Sequence, residues 1–294
     1  MTITANPAEM RNGAMIGAAA AFGSQLSMNL GAAFAKHLFP VIGAYGVTAL
    51  RIALATLILM LLHRPWRRPV PREMFAPLVA YGAMLGMMNL LIYQAFARIP
   101  LGVATGLEVM GPLAIALLGS RRPMDFLWLG TAVTGLLLLL PLRADSSLDP
   151  VGVAFACGAA VCWALYIVYG KRVAPKLGSD AVAWGMLVSF AFTMPIGLAT
   201  TGTGLFAPWL LLSGLVIALL SSALPYSLEM EAMRRLPAHV FGMLLSSWPA
   251  VAAIAGFIVL GEVLTPLQWL AILCIVTASA GSAMSAARNA RFAD

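Results

Sequence analysis

The chain has 294 residues, of which 61% are hydrophobic and 10% charged, with a mean hydropathy of +0.92 and a formal net charge of +7. Soluble globular proteins average roughly 45–50% apolar and about 25% charged residues, so a soluble fold of this length cannot bury so much apolar surface. The composition excludes a soluble enzyme, a secreted disulfide scaffold, a disordered chain and a nucleic-acid-binding domain. It predicts an integral membrane protein whose surroundings are the lipid bilayer.

Ten segments are apolar and long enough, at about 20 residues each, to cross a bilayer as helices. The predicted fold class is therefore an all-α integral membrane protein with ten transmembrane helices. The first span is longer than a signal-peptide core, so we expect it to remain as an uncleaved helix. In chain order, the predicted spans are residues 13–35, 43–62, 74–97, 100–119, 125–142, 150–170, 180–198, 208–228, 238–260 and 266–286.

The positive residues in the short connections predict the orientation of these spans, because cytoplasmic loops are enriched in Lys and Arg. With the N-terminus inside, the inner segments hold 14 of the 18 Lys and Arg residues and the outer segments hold three. We therefore expect a multi-pass protein of the bacterial inner membrane with both termini in the cytoplasm. The inner residues are Arg11, Arg64, Arg67, Arg68, Arg72, Arg121, Arg122, Lys171, Arg172, Lys176, Arg234, Arg235, Arg288 and Arg291; the outer ones are Lys36, Arg98 and Arg143; Arg51 lies within a span.

Two halves of the chain carry similar motifs in the same order. A Lys-x-x-x-Pro-x-x-Gly pattern at residues 36–43 recurs at 171–178, and an Ala-x-x-Arg-hydrophobic-Pro pattern at 95–100 recurs at 232–237. We therefore predict two five-helix repeats, residues 1–143 and 150–287. An odd number of spans in each repeat inverts the second relative to the first, an arrangement typical of secondary transporters with a substrate site near the midplane. Channels and membrane enzymes also contain repeats, so this pattern favours a transporter without proving one.

Two charged side chains lie deep inside predicted spans, away from the span ends: Arg51 in the second and Glu108 in the fourth. A charge at mid-membrane costs about 2.5–3.5 kcal/mol on insertion scales and almost always faces the protein interior or a cavity. Each residue lies eight positions from the outer start of its span, roughly 12 Å deep, so we predict that the two pair. Glu108 is then a proton-coupling carboxylate or a partner for a substrate ammonium; the alternative is a structural ion pair.

Three prolines inside predicted spans indicate broken helices, because a proline removes the hydrogen bond to the carbonyl four residues back. Pro112 frees the carbonyl of Glu108, Pro225 that of Ser221 and Pro249 that of Leu245. Freed backbone groups at membrane depth need protein, water or ligand partners. The pattern predicts a wet cavity, and packing kinks are the alternative.

Polar, aromatic and flexible side chains at helical spacing complete the candidate substrate site. Each of them has an alternative role as a contact to a neighbouring helix, and the aromatic ones as interfacial anchors. Two small-residue patterns, at residues 82–86 and 102–106, predict close helix packing instead. The substrate-binding candidates are Glu108, Arg51, Gln25, Asn29, Met88, Asn89, Trp163, Tyr166, Ser222, Tyr226 and Ser246.

The three cysteines and three histidines form no metal-ligand pattern, and motifs of hydrolases and nucleotide-binding loops are absent from the sequence. We therefore expect no metal, no cofactor and no catalytic residues. With no ATP-binding domain in the chain and no ATP-binding subunit required, we expect an ion or substrate gradient, with protons as the coupling ion, to supply the energy.

Several runs of residues resemble the drug/metabolite transporter superfamily, EamA-type. They include residues 46–51, 111–114, 120–123 and 260–266, and above all the run Ala-Leu-Pro-Tyr-Ser-Leu-Glu-Met at 223–230. The resemblance implies ten helices in two inverted repeats and a central cavity built from spans 1, 3, 4, 6, 8 and 9. It also implies export of amino acids of the threonine and homoserine type, over a broad range, by proton-coupled alternating access.

Other functions remain open at this point. An exporter of other small metabolites or drugs, or of aromatic amino acids, is compatible with the same fold. A membrane enzyme needs a paired catalytic constellation, and only one acid–base pair is visible within the spans. A channel would lack saturable counterflow. A carrier of phosphorylated substrates needs several buried Lys or Arg residues, and only Arg51 qualifies.

Overall fold

A computed structural model describes residues 7–118, 123–139, 148–178, 180–225 and 247–291, together with residues 228, 232, 235 and 244. The described chain is helical and contains no strand. The α-helices are α1 (Pro7–His37), α2 (Phe39–His63), α3 (Phe75–Phe96), α4 (Leu101–Glu108), α5 (Met110–Leu118), α6 (Pro123–Leu139), α7 (Pro150–Leu177), α8 (Asp180–Thr201), α9 (Pro208–Ala218), α10 (Trp248–Leu260) and α11 (Pro266–Arg291).

A helix occupies the described part of each predicted span, which confirms an all-helical membrane protein. Four helical segments are long and apolar enough by themselves to cross a bilayer: Phe39–His63, Arg72–Phe96, Pro150–Val173 and Asp180–Phe206. Five others are shorter apolar helices. Helix α1 is 31 residues long, but its middle carries four polar side chains that are buried against the protein, Ser24, Gln25, Ser27 and Asn29.

The predicted helix breaks lie at two of the three prolines. The fourth span is two helices, α4 and α5, which meet at Val109, three residues before Pro112. A π-helical turn at Leu219–Ala223 follows α9 directly before Pro225. Pro249 lies in the first turn of α10, and Leu245 lies outside the described residues. Pro112 and Pro225 therefore interrupt regular hydrogen bonding as their chemistry requires.

The repeated Lys-x-x-x-Pro-x-x-Gly motif adopts matching backbone geometry in both halves. Its final residue, Gly43 in the first copy and Gly178 in the second, has a positive φ of 66° and 53° respectively. Only glycine adopts this region without strain, since it lacks a Cβ atom. The conformation explains why glycine ends the motif twice.

The helices of the two halves pack in a symmetric pattern. Counterpart helices contact each other directly: α2 packs on α8, α4 on α10 and α6 on α11. Two further pairs of contacts match each other. The contact of α3 with α7 matches the contact of α9 and its π turn with α1, and the contact of α1 with α10 matches that of α4 with α7. Exchanging the halves converts each of these contacts into another observed contact.

Glycines set the closest helix approaches, as the small-residue patterns predict. A Cβ atom on Gly82 would lie 2.7 Å from the carbonyl oxygen of Gly185, and the Ser189 hydroxyl donates to the Gly82 carbonyl at 2.8 Å. A Cβ atom on Gly102 would lie 2.6 Å from the Cα of Ala253. Because these glycines have no side chain, α3 packs closely against α8 and α4 packs closely against α10.

Of the four ion pairs among the described residues, three join one half of the chain to the other, and the fourth joins the first half to Asp149 in the linker between the predicted repeats. In every case both members belong to segments predicted on the same side of the membrane, which agrees with the predicted alternation of the spans. On the predicted outer side the pairs are Lys36–Glu262 (2.5 Å) and Arg98–Asp149 (3.6 Å), and on the inner side Arg68–Asp180 (3.3 Å) and Glu73–Lys176.

Candidate substrate site

Arg51 is buried in the middle of α2, with 8% of its surface exposed. Its guanidinium donates a hydrogen bond from a terminal nitrogen to the side-chain oxygen of Asn89 on α3. Its Cζ atom lies 4.8 Å from the centre of the Tyr93 ring, one helical turn further along α3. The Nε atom is buried and has no hydrogen-bond partner in the described part of the chain. Arg51 therefore retains one unused donor.

Tyr93 is buried beside Arg51, with 3% exposure. Its ring packs against Phe39 and Phe96, with ring centres 5.9 and 5.6 Å apart, and its hydroxyl has no partner among the described residues. The sequence analysis missed this residue because a tyrosine near the end of a span resembles an interfacial anchor. The available signal was its spacing of four from Asn89, which places both on one face of α3.

Glu108 ends α4 at the point where the fourth span is broken. It is 7% exposed, and its carboxylate makes no hydrogen bond to any described residue. Arg51 lies within electrostatic range of Glu108, but the described ion pairs do not include this one. The structure thus brings the two charges into one region, while Asn89 rather than Glu108 is hydrogen-bonded to the guanidinium.

Gln25 and Asn29 on α1 are fully buried and bonded within the protein. The Gln25 amide donates to the carbonyl of Leu244 at 2.9 Å and its oxygen accepts from the Ser247 hydroxyl at 3.1 Å. The Asn29 amide donates to the backbone carbonyl of Gln25 at 2.9 Å. The Gln25 contacts hold α1 to the second half of the chain, so Gln25 acts here as a helix–helix contact, whereas the Asn29 bond lies within α1.

The other candidates make contacts of their own, and no hydrogen bond to Arg51 is among those of the described residues. Tyr166 stacks on Tyr81, with ring centres 4.8 Å apart and hydroxyls 3.1 Å apart, near the predicted inner start of α3. Met88 packs with Tyr166 against a small apolar cluster, and Trp163 packs against the main apolar core. Ser222 is buried in the π turn; Tyr226 and Ser246 lie outside the described residues.

The group of Arg51, Asn89, Tyr93 and Glu108 is what we call the polar cluster. It combines a cation, an amide, a hydroxyl and a carboxylate, and three of the four retain unused hydrogen-bonding capacity. A zwitterion requires this combination: donors for its carboxylate and an acceptor for its ammonium. Within the described part of the chain, no group of three or more His, Cys, Asp or Glu residues comes together to hold a metal ion.

Comparison with known proteins shows which transporters the chain is similar to. Residues 150–284 match the EamA-like transporter family. The threonine/homoserine exporter RhtA of Escherichia coli K12 is 48% identical over 266 residues, which cover 90% of each chain, and that of Salmonella typhimurium LT2 is 49% identical over 264 residues with the same coverage. An uncharacterized Pseudomonas aeruginosa protein, PA1977, is 30% identical over 245 residues, covering 76% of this chain and 79% of its own length.

A solved crystal structure shares the fold: it superposes with a TM-score of 0.61 at 19% identity and covers 95% of this chain and 98% of its own. The helical architecture and these relatives together define the class of the protein. It is a membrane transporter built from many helices. The chain belongs to the EamA-like transporter family.

Proposed function

We propose that this protein is a secondary transporter that exports amino acids of the threonine and homoserine type across the bacterial inner membrane. The observation that carries this proposal is 48% identity over 90% of the chain to an exporter of that substrate type. The polar cluster adds an independent physical reason, because its buried charges match the two ends of an amino acid.

The proposed architecture is ten membrane-crossing helices in two inverted repeats, residues 1–143 and 150–287, with both termini in the cytoplasm. Three observations support it. The helix contacts come in matched pairs, the two copies of the lysine motif end in glycines with positive φ, and every ion pair joins segments predicted on one side. Inverted repeats give a transporter two related conformations, open to opposite sides.

The proposed substrate site centres on Glu108 and Arg51. Glu108 accepts from the substrate ammonium, and Arg51 donates to the substrate carboxylate. The low exposure of both side chains strengthens these charge interactions relative to those in water. Asn89 orients the guanidinium, while Gln25, Asn29, Met88, Trp163, Tyr166 and Ser222 line or brace the path, together with Tyr226 and Ser246.

The proposed coupling ion is the proton, carried by Glu108. A carboxylate that alternately binds a proton and a substrate ammonium exchanges one for the other as the protein changes conformation. The unbonded state of the Glu108 carboxylate among the described residues supports this role, because a group fixed in a structural ion pair could not exchange partners. No ATP-binding subunit takes part in this mechanism.

Aromatic amino acids are the second candidate substrate class. Phe39, Tyr93 and Phe96 form a row of aromatic rings directly beside Arg51. Such rings favour an aromatic substrate side chain through stacking. Export of other small metabolites or drugs has no comparable support among the contacts of the polar cluster.

Efflux from living cells tests the substrate class. Cells that produce the protein are loaded with labelled threonine, and the loss of label is compared with cells that produce Glu108→Ala. We expect faster efflux from wild-type cells, slowed by internal homoserine and not by a nucleobase or a sugar. Equal efflux from both strains for threonine, homoserine and phenylalanine would contradict amino-acid export.

A further inference from the structure

We propose that Tyr93 is a further substrate-binding residue, whose hydroxyl joins the Nε atom of Arg51 in donating hydrogen bonds to the carboxylate of the transported amino acid. This inference rests on the proposed function and extends it to a residue that sequence patterns do not identify. It assigns the carboxylate end of the substrate to the α2–α3 side of the cluster, and the ammonium end to α4.

The first observation is that two side chains in contact each have an unused donor. Buried polar atoms in proteins nearly always have a partner. Among the described residues, five buried side-chain atoms have none, and two of these are Arg51 Nε and Tyr93 Oη. The two side chains are in contact, with the guanidinium 4.8 Å from the ring centre. Two unpaired donors on side chains in contact are unexpected unless a ligand accepts hydrogen bonds from both.

The second observation is that the side chains around the Tyr93 hydroxyl leave it without a hydrogen bond of good geometry. Ser221 is the polar neighbour of Tyr93, and its single O–H donates to the Ile217 carbonyl at 2.5 Å, so it donates no hydrogen to the Tyr93 oxygen. Phe39 and Phe96 hold the ring from the sides and offer no acceptor. A carboxylate has two oxygens and accepts from two donors at once, so it completes the set that Tyr93 and Arg51 leave open.

Tyr93→Phe tests this assignment because it removes one oxygen and keeps the ring. Loss of an unpaired buried hydroxyl does not weaken the fold, so any transport defect comes from substrate binding. In proteoliposomes we expect the KM for threonine counterflow to rise about tenfold, with the maximal rate and the thermal unfolding temperature unchanged.

The matched control is Thr193→Val, which removes another unpaired buried hydroxyl, on α8 and outside the polar cluster. We expect it to leave KM unchanged. An unchanged KM in Tyr93→Phe, or an equal rise in Thr193→Val, would overturn the role of Tyr93. If the wild-type protein carries no amino acid, the proposed function fails, and the role of Tyr93 fails with it.

A different observation carries a second inference: we infer that Glu262 and Lys36 form a latch that closes the substrate path from the outer side. Lys36 lies in the last turn of α1, and Glu262 directly follows α10. The two residues belong to different halves of the chain, and both lie on the predicted outer side.

The Glu262 carboxylate ties three segments together. One oxygen lies 2.5 Å from the Lys36 Nζ atom, and the other accepts from the backbone N–H of Leu101 at 2.8 Å. Lys36 also donates to the carbonyl of Ile99 at 3.4 Å. The side chains are 22% and 13% exposed, the lowest combined exposure of the four described ion pairs. Limited exposure reduces screening, so this pair is the strongest.

The position of the latch connects it to the site. Leu101 begins α4, the short helix that ends at Glu108, so the latch fixes the outer end of the helix that carries the carboxylate. Lys171, the counterpart of Lys36 in the repeated motif, is exposed and makes no ion pair to a described residue. The outer lysine is therefore engaged, whereas its inner counterpart has no ion pair among the described residues, an asymmetry expected for a conformation closed to the outside.

Accessibility of a buried cysteine tests the latch. The native cysteines are replaced by alanine, Thr105 on α4 is changed to cysteine, and intact cells are treated with a membrane-impermeant maleimide. Thr105 is 2% exposed, so labelling requires opening. We expect Lys36→Gln and Glu262→Gln each to raise the labelling rate about fivefold.

Two features make this experiment decisive. Glu262→Gln keeps a side-chain oxygen that can accept from the Leu101 N–H, so the loop retains its fold. Asp149→Asn removes the other outer ion pair, whose members are 35% and 38% exposed, and should leave the labelling rate unchanged. Unchanged labelling in both latch variants, or an increase from the cytoplasmic side alone, would overturn the latch.

Discussion

Arg51 shows how a membrane helix retains a buried cation with incomplete pairing. Asn89 accepts one hydrogen bond from the guanidinium, and the guanidinium makes a cation–π contact with the ring of Tyr93. These two contacts offset part of the cost of removing Arg51 from water, without a formal ion pair. A complete ion pair would hold the guanidinium in place, but a transporter needs a site that releases its substrate. The unpaired Nε donor of Arg51 is therefore consistent with a side chain that binds the substrate and then releases it.

Arg51 and Glu108 should act together on transport. We expect Arg51→Gln and Glu108→Gln each to reduce the rate of threonine counterflow at least about tenfold. The double variant should be little worse than the more severe single one, because either change already removes one end of the substrate. Initial rates for the four proteins give the test, and effects that simply multiply would show that the residues act independently.

Residues such as Arg51 and Glu108 were predictable because a charge is rare in an apolar span, and such charges are functional by default. Tyr93 was not predictable, since its significance depends on an unfilled hydroxyl next to a guanidinium. Gln25 illustrates the opposite case. Its partners, Leu244 and Ser247, lie more than 200 positions away, and only the fold shows that they satisfy it.

At the scale of elements, hydropathy and proline chemistry predict most of what the structure contains. Each predicted span is helical over its described part, and the fourth span is broken near Pro112. The exact form of a break depends on tertiary contacts, which sequence spacing does not contain. Thus two α-helices meet at Val109, three residues before Pro112, whereas Pro225 follows a π turn.

Glycine patterns predict that helices approach closely but not which helices meet. Gly82 and Gly86 lie against α8, with Val188 and Phe192 filling the space above them, and Gly102 lies against Ala253 of α10. These partners belong to the other half of the chain. The small-residue spacing therefore identified the contact surface of α3 and α4, and the fold supplied the partner helices.

At the scale of the whole molecule, the matched contacts between the halves support the proposal that the protein alternates between two conformations. If exchanging the halves preserves the contacts, then the packing that closes the outer side has a counterpart that closes the inner side. Lys36, which has an ion pair, and Lys171, which has none among the described residues, are the two members of such a pair. The sequence predicts the repeat through its motifs, but it does not show that Lys36 has an ion pair where Lys171 has none among the described residues.

The most direct measurement is counterflow of labelled threonine into proteoliposomes that contain the purified protein, repeated with Glu108→Gln and with an imposed pH gradient. We predict saturable uptake that homoserine competes for, a rate that responds to the gradient in the wild type, and no such response in Glu108→Gln. Absence of uptake for any amino acid, from protein shown to be folded by its thermal unfolding, would contradict amino-acid export. A normal response to the gradient in Glu108→Gln would contradict proton coupling through this residue.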